Sequence, residues 1–124
     1  MISHLQRYEA TVRQGQLGAW LLTLIVEGIV AALLARRFGL VPSRAARAAI
    51  AGSLVSHPIV WWAYFQLIHD YGYWPTFGMI EAIAVFGEAP FYRLAGASWP
   101  GALLISFLVN ASSVLCGFAW NSLT

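Results

Sequence analysis

Four long apolar stretches, separated by short polar segments, dominate the pattern of hydrophobic and polar positions along the chain. They cover residues of about 17–35, 45–68, 76–93 and 100–120. A helix needs about 20 mostly apolar residues to cross a hydrocarbon core of about 30 Å. The pattern therefore predicts an all-α polytopic membrane protein, with four transmembrane helices in a compact bundle and a single domain over residues 1–124.

The first 16 residues differ from the rest because they are polar and of mixed charge. Leu5, Tyr8 and Val12 recur there at helical spacing, which predicts a short amphipathic helix lying on the membrane surface. The segment is too polar for a secretory signal, whose apolar core should begin sooner.

The connections between the stretches differ in charge. Residues 36–47 carry four arginines, and Arg93 opens the turn of residues 93–99, whereas the aromatic segment of residues 69–75 has none. By the positive-inside rule, loops 36–47 and 93–99 lie in the cytoplasm and both termini lie outside. The predicted location is the cytoplasmic (inner) membrane of a prokaryote. Ser43 is the predicted N-cap of the second helix.

Composition agrees with a membrane protein. The chain is 60% hydrophobic and 10% charged, whereas soluble domains carry about 25% charged residues. Membrane lipid is thus an expected partner, and the seven basic residues, all arginine, do not form the clustered surface typical of nucleic-acid binding. Five tryptophans near the ends of the predicted spans are interpreted as interfacial anchors: Trp61, Trp62, Trp74, Trp99 and Trp120.

Three of the five acidic residues, Glu27, Glu81 and Glu88, lie inside predicted spans. Glu81 and Glu88 are seven residues apart and Tyr92 follows four later, so all three share a helix face. A carboxylate at the bilayer centre costs about 2.5–3.5 kcal/mol on the insertion scale, and such groups usually face a bundle interior or a water-filled cavity.

The other helices carry small or polar stripes of their own, such as Ser53 with His57 and Asn110 with Ser113. Together they predict one intramembrane polar centre, formed by Glu27, Ser53, His57, Glu81, Glu88, Tyr92, Asn110 and Ser113. The serines and the asparagine also fit a simpler role as interhelical contacts, worth about 0.6 kcal/mol each. Pro58 and Pro90 predict helix kinks beside this centre.

The order of features is similar in the two halves of the chain. A helix with a buried glutamate ends at arginine, Glu27 before Arg36 and Glu88 before Arg93. The next helix in each half carries a polar pair three residues apart. This order is consistent with a parallel internal repeat of helix pairs.

Catalytic chemistry has little support in the spacing of these residues. His57 and Glu88 are weak candidates for metal ligands, because imidazole and carboxylate suit several metals but no established metal motif is present. Ser53 and His57 can touch on a helix, yet a nucleophile elbow is missing. No cofactor is assigned.

The combined motifs resemble those of a group of small prokaryotic four-helix integral membrane proteins. They are a mid-helix glutamate, Ser53-Leu-Val-Ser56-His57-Pro58, Glu81 with Glu88-x-x-x-Tyr92, and Asn110-x-x-Ser113. In that group the second helix typically reads Asn-x-x-Thr-His-Pro, so serines replace an amide and a threonine here. The resemblance implies the four-helix topology and supplies no activity.

Three interpretations of function follow. The first is a polar centre that binds or translocates a proton, a cation or a small polar solute, in an oligomer. The second is an accessory or structural subunit of a larger membrane complex of respiratory or photosynthetic type, in contact with lipid, quinone or pigment. The third is an intramembrane enzyme that uses His57 and the glutamates. The pattern favours binding over catalysis.

Overall fold

Four long helices form the structure, a computed structural model that describes residues 3–123 and, for residues 5 and 8–16, only the course of the backbone. They are α1 (His4–Leu34), α2 (Pro42–Tyr71), α3 (Tyr73–Ala95) and α4 (Trp99–Leu123), with a 3₁₀ turn at Ala35–Phe38. These residues hold no strand, and helices make up 93% of the structure. The predicted all-α bundle of four helices is confirmed.

The helix boundaries follow from local chemistry. Ser3 and Gln6 form a reciprocal capping box at the start of α1, a signal that the sequence analysis overlooked. Gly39 and Gly72 have φ of 74° and 76°, so they supply the left-handed backbone that ends the 3₁₀ turn and α2. The prediction of Ser43 as an N-cap is wrong, because α2 begins one residue earlier at a proline whose fixed φ suits the first helical position.

Residues 4–16 are helical, as predicted, but no break separates them from the first apolar stretch. The 31 residues of α1 make a rod about 46 Å long at 1.5 Å per residue. The side chains of Leu5, Tyr8 and Val12 lie outside the described part of the chain, so their amphipathic stripe stays a prediction.

The four helices pack in a ring. α1 contacts α2 and α4, and α3 contacts the same two helices. The short connections join antiparallel neighbours, so the two arginine-containing connections lie at one end of the bundle. Their contact confirms this, because the Leu40 side chain lies 3.7 Å from the position that a Cβ on Gly96 would occupy.

That end of the bundle is filled by small apolar side chains. We call this cluster the packed end: Ala31, Ala35, Leu40, Ala45, Ala48, Ala49, Tyr92, Ala97, Ala102, Ile105 and Val109. Alanines at most of these positions let the helix backbones approach closely, as small residues do in membrane bundles.

The two halves of the chain bury residues in the same register. Buried positions of α2 include 45, 48, 49, 52 and 53, and those of α4 are 102, 105, 106, 109 and 110, with identical spacing. In the same way Glu27, Gly28 and Ala31 of α1 correspond to buried Glu88, Ala89 and Tyr92 of α3. Equivalent helices of the two halves therefore turn equivalent faces inward.

Two segments of the described chain are long and apolar enough to cross a membrane, Leu17–Phe38 and Trp99–Leu123. The prediction named four. α2 and α3 contain the predicted kink residues, Pro58 and Pro90. Each helix continues through its proline, and both prolines are exposed on the outer surface.

Candidate functional site

Two buried carboxyl groups lie side by side in the middle of the bundle. Glu27 of α1 and Glu88 of α3 are 2% and 1% exposed. The Ser53 hydroxyl of α2 donates to Glu27 Oε2 and lies 3.1 Å from Glu88 Oε1. A hydroxyl carries one hydrogen and can donate to only one of them at a time. Ser56 and Asn110 also lie within hydrogen-bonding reach of Glu88, and the two carboxyl groups lie within reach of each other. We call them the carboxylate pair Glu27–Glu88. A proton or a cation between the two groups would offset their mutual repulsion.

A glycine allows this close approach of α2 and α3. A Cβ on Gly52 would lie 3.1 Å from Glu88 Cγ and 3.3 Å from Glu88 Cβ. The stem of Glu88 therefore rests against the backbone of α2, one residue before Ser53. Gly52 was not among the predicted site residues, although its position next to Ser53 was a usable signal.

Above the pair lies a cavity of about 230 Å³, which we call the polar cavity. Seven of the eight residues predicted for the polar centre line it: Glu27, Ser53, His57, Glu81, Glu88, Asn110 and Ser113. The cavity extends from the carboxylate pair towards the end of the bundle that carries the α2–α3 connection. Ser56 and Thr23 add hydroxyl groups to its wall. Among the described residues, the lining contains three glutamates and no arginine.

Tyr92 is the predicted member of the centre that the cavity does not reach. It is fully buried in the packed end, one turn beyond Glu88. Its hydroxyl has no hydrogen-bond partner among the described residues, yet it lies close enough to interact electrostatically with Glu88 and Glu27. The carboxylate pair thus has a polar cavity on one side and an unpartnered hydroxyl on the other.

The polar side chains of α4 divide between two roles. Asn110 donates from Nδ2 to the Ser106 carbonyl oxygen of its own helix at 2.8 Å and also lies within hydrogen-bonding reach of Glu88. The Ser106 hydroxyl crosses to α3 and donates to the Val85 carbonyl oxygen at 2.8 Å. Ser106 therefore fills the role of interhelical contact, while Asn110 faces the cavity.

An aromatic wall closes one side of the cavity. The His57 ring stacks on Trp20 of α1 with a centroid distance of 5.9 Å and meets Trp61 edge-on at 6.5 Å. Trp61 lines the cavity and is half-buried, while its interpretation as an interfacial anchor stays a prediction. Its spacing of four residues from His57 was the signal for this placement.

No protein-family model, curated protein or solved structure matches the chain. The chemistry of the site must therefore be argued from its own residues.

Those residues do not form a typical metal or hydrolase site. Among the side chains that the structure describes, no three His, Cys, Asp or Glu residues are arranged to hold a metal ion. His57 and Glu88, the weak candidates, thus lack a third such ligand. Ser53 uses its hydroxyl on Glu27 and is not oriented towards His57 as a serine nucleophile would be.

Replacing Ser53 by alanine is expected to lower the free energy of unfolding by about 1–3 kcal/mol, because it removes the hydroxyl donor of the buried Glu27 carboxyl group. Thermal unfolding in mild detergent, followed by tryptophan fluorescence, measures the change. The matched control is Ser112→Ala, whose hydroxyl donates to Leu108 of its own helix at 2.8 Å; it should change stability by less than about 0.5 kcal/mol. Equal effects of the two substitutions would contradict the role of Ser53.

Proposed function

We propose that this protein is an integral membrane protein in which all four helices span the bilayer around the polar cavity, and that the cavity binds a proton or a small cation. The observation that carries the proposal is the pair of buried carboxyl groups, Glu27 and Glu88, which both lie next to the Ser53 hydroxyl and within hydrogen-bonding reach of each other. Two adjacent carboxylates in a medium of low dielectric constant repel each other strongly. A positive charge between them removes this repulsion.

The surface of the bundle supports the membrane location. Large apolar side chains are exposed on every helix, including Ile25 of α1, Trp62 of α2, Phe86 of α3 and Leu115 of α4, each at least 58% exposed. Extended apolar surface of this kind is unusual in a soluble monomer. α2 contributes Ser53 and His57 to the cavity, and α3 contributes Glu81 and Glu88. These polar residues make α2 and α3 less apolar than the two segments that meet the length and hydropathy needed to cross a membrane.

The placement of the arginines supports one orientation of the protein in the membrane. The arginines of residues 36–47 and Arg93 belong to the packed end, which the positive-inside rule assigns to the cytoplasm. The polar cavity extends towards the opposite end, where the termini lie. The ligand would then enter from the outside of a prokaryotic cytoplasmic membrane. The shared burial register of the two halves supports a parallel repeat, with equivalent carboxyl groups meeting at the centre.

Translocation would need more than this cavity, because the packed end lies between the carboxylate pair and the arginine-containing connections. Binding is thus the function that the geometry supports best. A pathway through the membrane would need a rearrangement of the packed end or a second copy of the chain.

The test is cation-dependent stabilisation of the purified protein. Sodium, potassium, methylammonium and guanidinium chlorides are compared at constant ionic strength against N-methylglucamine chloride. A ligand at 100 times its Kd should stabilise the wild type by about 2.7 kcal/mol. Proton release on cation binding, measured in weakly buffered solution, shows whether a proton occupied the pair beforehand.

Glu88→Gln should abolish the stabilisation by the cation, because one of the two carboxylates is removed while the shape of the side chain is kept. Asp70→Asn is the matched control, since Asp70 is an exposed carboxylate at the end of α2. The proposal fails if Glu88→Gln retains both cation stabilisation and proton release at wild-type values, or if Asp70→Asn lowers them equally.

A further inference from the structure

An apolar groove on the outer surface between α3 and α4 leads to the polar cavity. The groove has a volume of about 590 Å³ and its walls include Phe77, Phe86, Phe107 and Leu115. Its two side chains with strong hydrogen-bonding groups, Glu81 and Asn110, also line the polar cavity. The α3–α4 groove and the cavity therefore share part of their walls, and a molecule lying in the groove can reach the carboxyl groups.

We propose that the groove and the cavity together bind an amphiphilic ammonium ion, with its protonated amine in the cavity and its alkyl chain in the groove. This inference rests on the proposed function, because it names the class of cation that the site accepts. The ligand would enter sideways from the bilayer between α3 and α4.

Charge complementarity selects the head group. The cavity presents the carboxyl groups of Glu27, Glu81 and Glu88, and a primary ammonium carries a positive charge and three N–H donors that carboxylate oxygens can accept. Beyond the pair, the fully buried Tyr92 hydroxyl has no partner among the described residues, and it interacts electrostatically with Glu27 and Glu88. Trp61 supplies an aromatic ring on the cavity wall, and the face of a tryptophan ring attracts ammonium ions.

The position of Glu81 argues against an ordinary phospholipid as the occupant. Glu81 lies eight residues into α3, about 12 Å along the helix axis at 1.5 Å per residue. The phosphate of a phospholipid stays at the surface of the membrane and would be repelled by a carboxylate. An acyl chain alone would leave Glu81 and Asn110 facing hydrocarbon, which is unfavourable for both groups.

Gly78 gives a way to fill the groove without disturbing the cavity. It lines the groove, and a Cβ placed on it would meet no atom within 4 Å. Gly87 of the same helix is equally open and exposed but lies outside the groove. Gly78→Phe and Gly87→Phe are therefore a matched pair, with Ala82→Phe as a second groove-filling variant.

The experiment measures binding of n-octylammonium and methylammonium by calorimetry in nanodiscs of a zwitterionic phospholipid, with empty nanodiscs subtracted. Octanol is the neutral probe of equal chain length. The wild type and Gly87→Phe should bind octylammonium, and the groove-filling variants should bind it at least about tenfold more weakly. Methylammonium affinity should stay within about twofold in every one of these variants, which also shows that they are folded.

Two results would overturn the inference while leaving the proposed function intact. One is an octylammonium affinity that both groove-filling variants leave unchanged, with methylammonium still bound. The other is saturable binding of octanol as tight as that of octylammonium, which would make the groove a site for alkyl chains of any kind. If the wild type binds neither amine and sodium and potassium also fail to stabilise it, or if Glu88→Gln binds both amines as tightly as the wild type, the proposed function itself fails.

Discussion

Replacing Tyr92 by alanine is expected to lower the free energy of unfolding by about 3–5 kcal/mol, as for other large aromatic side chains removed from a core. Tyr92 is the largest of the fully buried side chains in the described part of the chain. It packs among the alanines of the packed end, and these have no long side chains that can move into the space. Thermal or denaturant-induced unfolding in mild detergent measures the loss.

The phenylalanine variant separates packing from the hydroxyl group. Because the Tyr92 hydroxyl lacks a partner among the described residues, Tyr92→Phe should leave the stability of the ligand-free protein within about 0.5 kcal/mol or raise it. A loss as large as that of Tyr92→Ala would show that the hydroxyl, and not the ring, carries the stabilising interaction.

The second large effect is expected at Gly52. Gly52→Leu places a branched side chain where even a Cβ lies 3.1 Å from Glu88 Cγ and 3.5 Å from the Phe91 ring. Overpacking of this kind typically costs about 1–3 kcal/mol, and here it also pushes Glu88 away from Ser53. We therefore expect both lower stability and weaker cation binding.

Gly87→Leu is the control for Gly52→Leu, because it makes the same substitution at an open position. It should be neutral or stabilising, since leucine favours a helix over glycine by up to about 1 kcal/mol. The free energies of unfolding of the two variants, measured under the same conditions, test this difference. Equal stability of both would show that the α2–α3 interface adjusts freely around Glu88.

The helices and most of the site were predictable because both depend on spacing along one chain. Four apolar stretches gave four helices, and the spacing of Glu81 from Glu88 and of Ser53 from His57 placed each pair on an inward face. Spacing of this kind says which side of a helix faces its neighbours. The distance between neighbouring helices needs the structure.

The misses have this physical origin. Tyr92 shares the face of Glu88, but it lies on the other side of the carboxylate pair from the cavity, because the backbones at that end approach each other closely enough to leave no space. The contact of Trp61 with the cavity was not predicted, although Trp61 lies four residues from His57 and therefore on the same face of α2. Gly52 matters because it has no Cβ, which leaves room for the Glu88 side chain. The sequence alone does not show that Glu88 packs against this position.

The contrast between the packed end and the end that contains the polar cavity has a consequence for the membrane potential. In the proposed orientation, a cavity filled with water would carry the outer potential down to Glu27 and Glu88, so most of the voltage would fall across the packed end. Moving one elementary charge through 100 mV corresponds to about 2.3 kcal/mol. A cation that reaches the pair from outside would cross little of this field, and its affinity should hardly change with voltage. Any step that carried the charge on through the alanines would be strongly voltage-dependent.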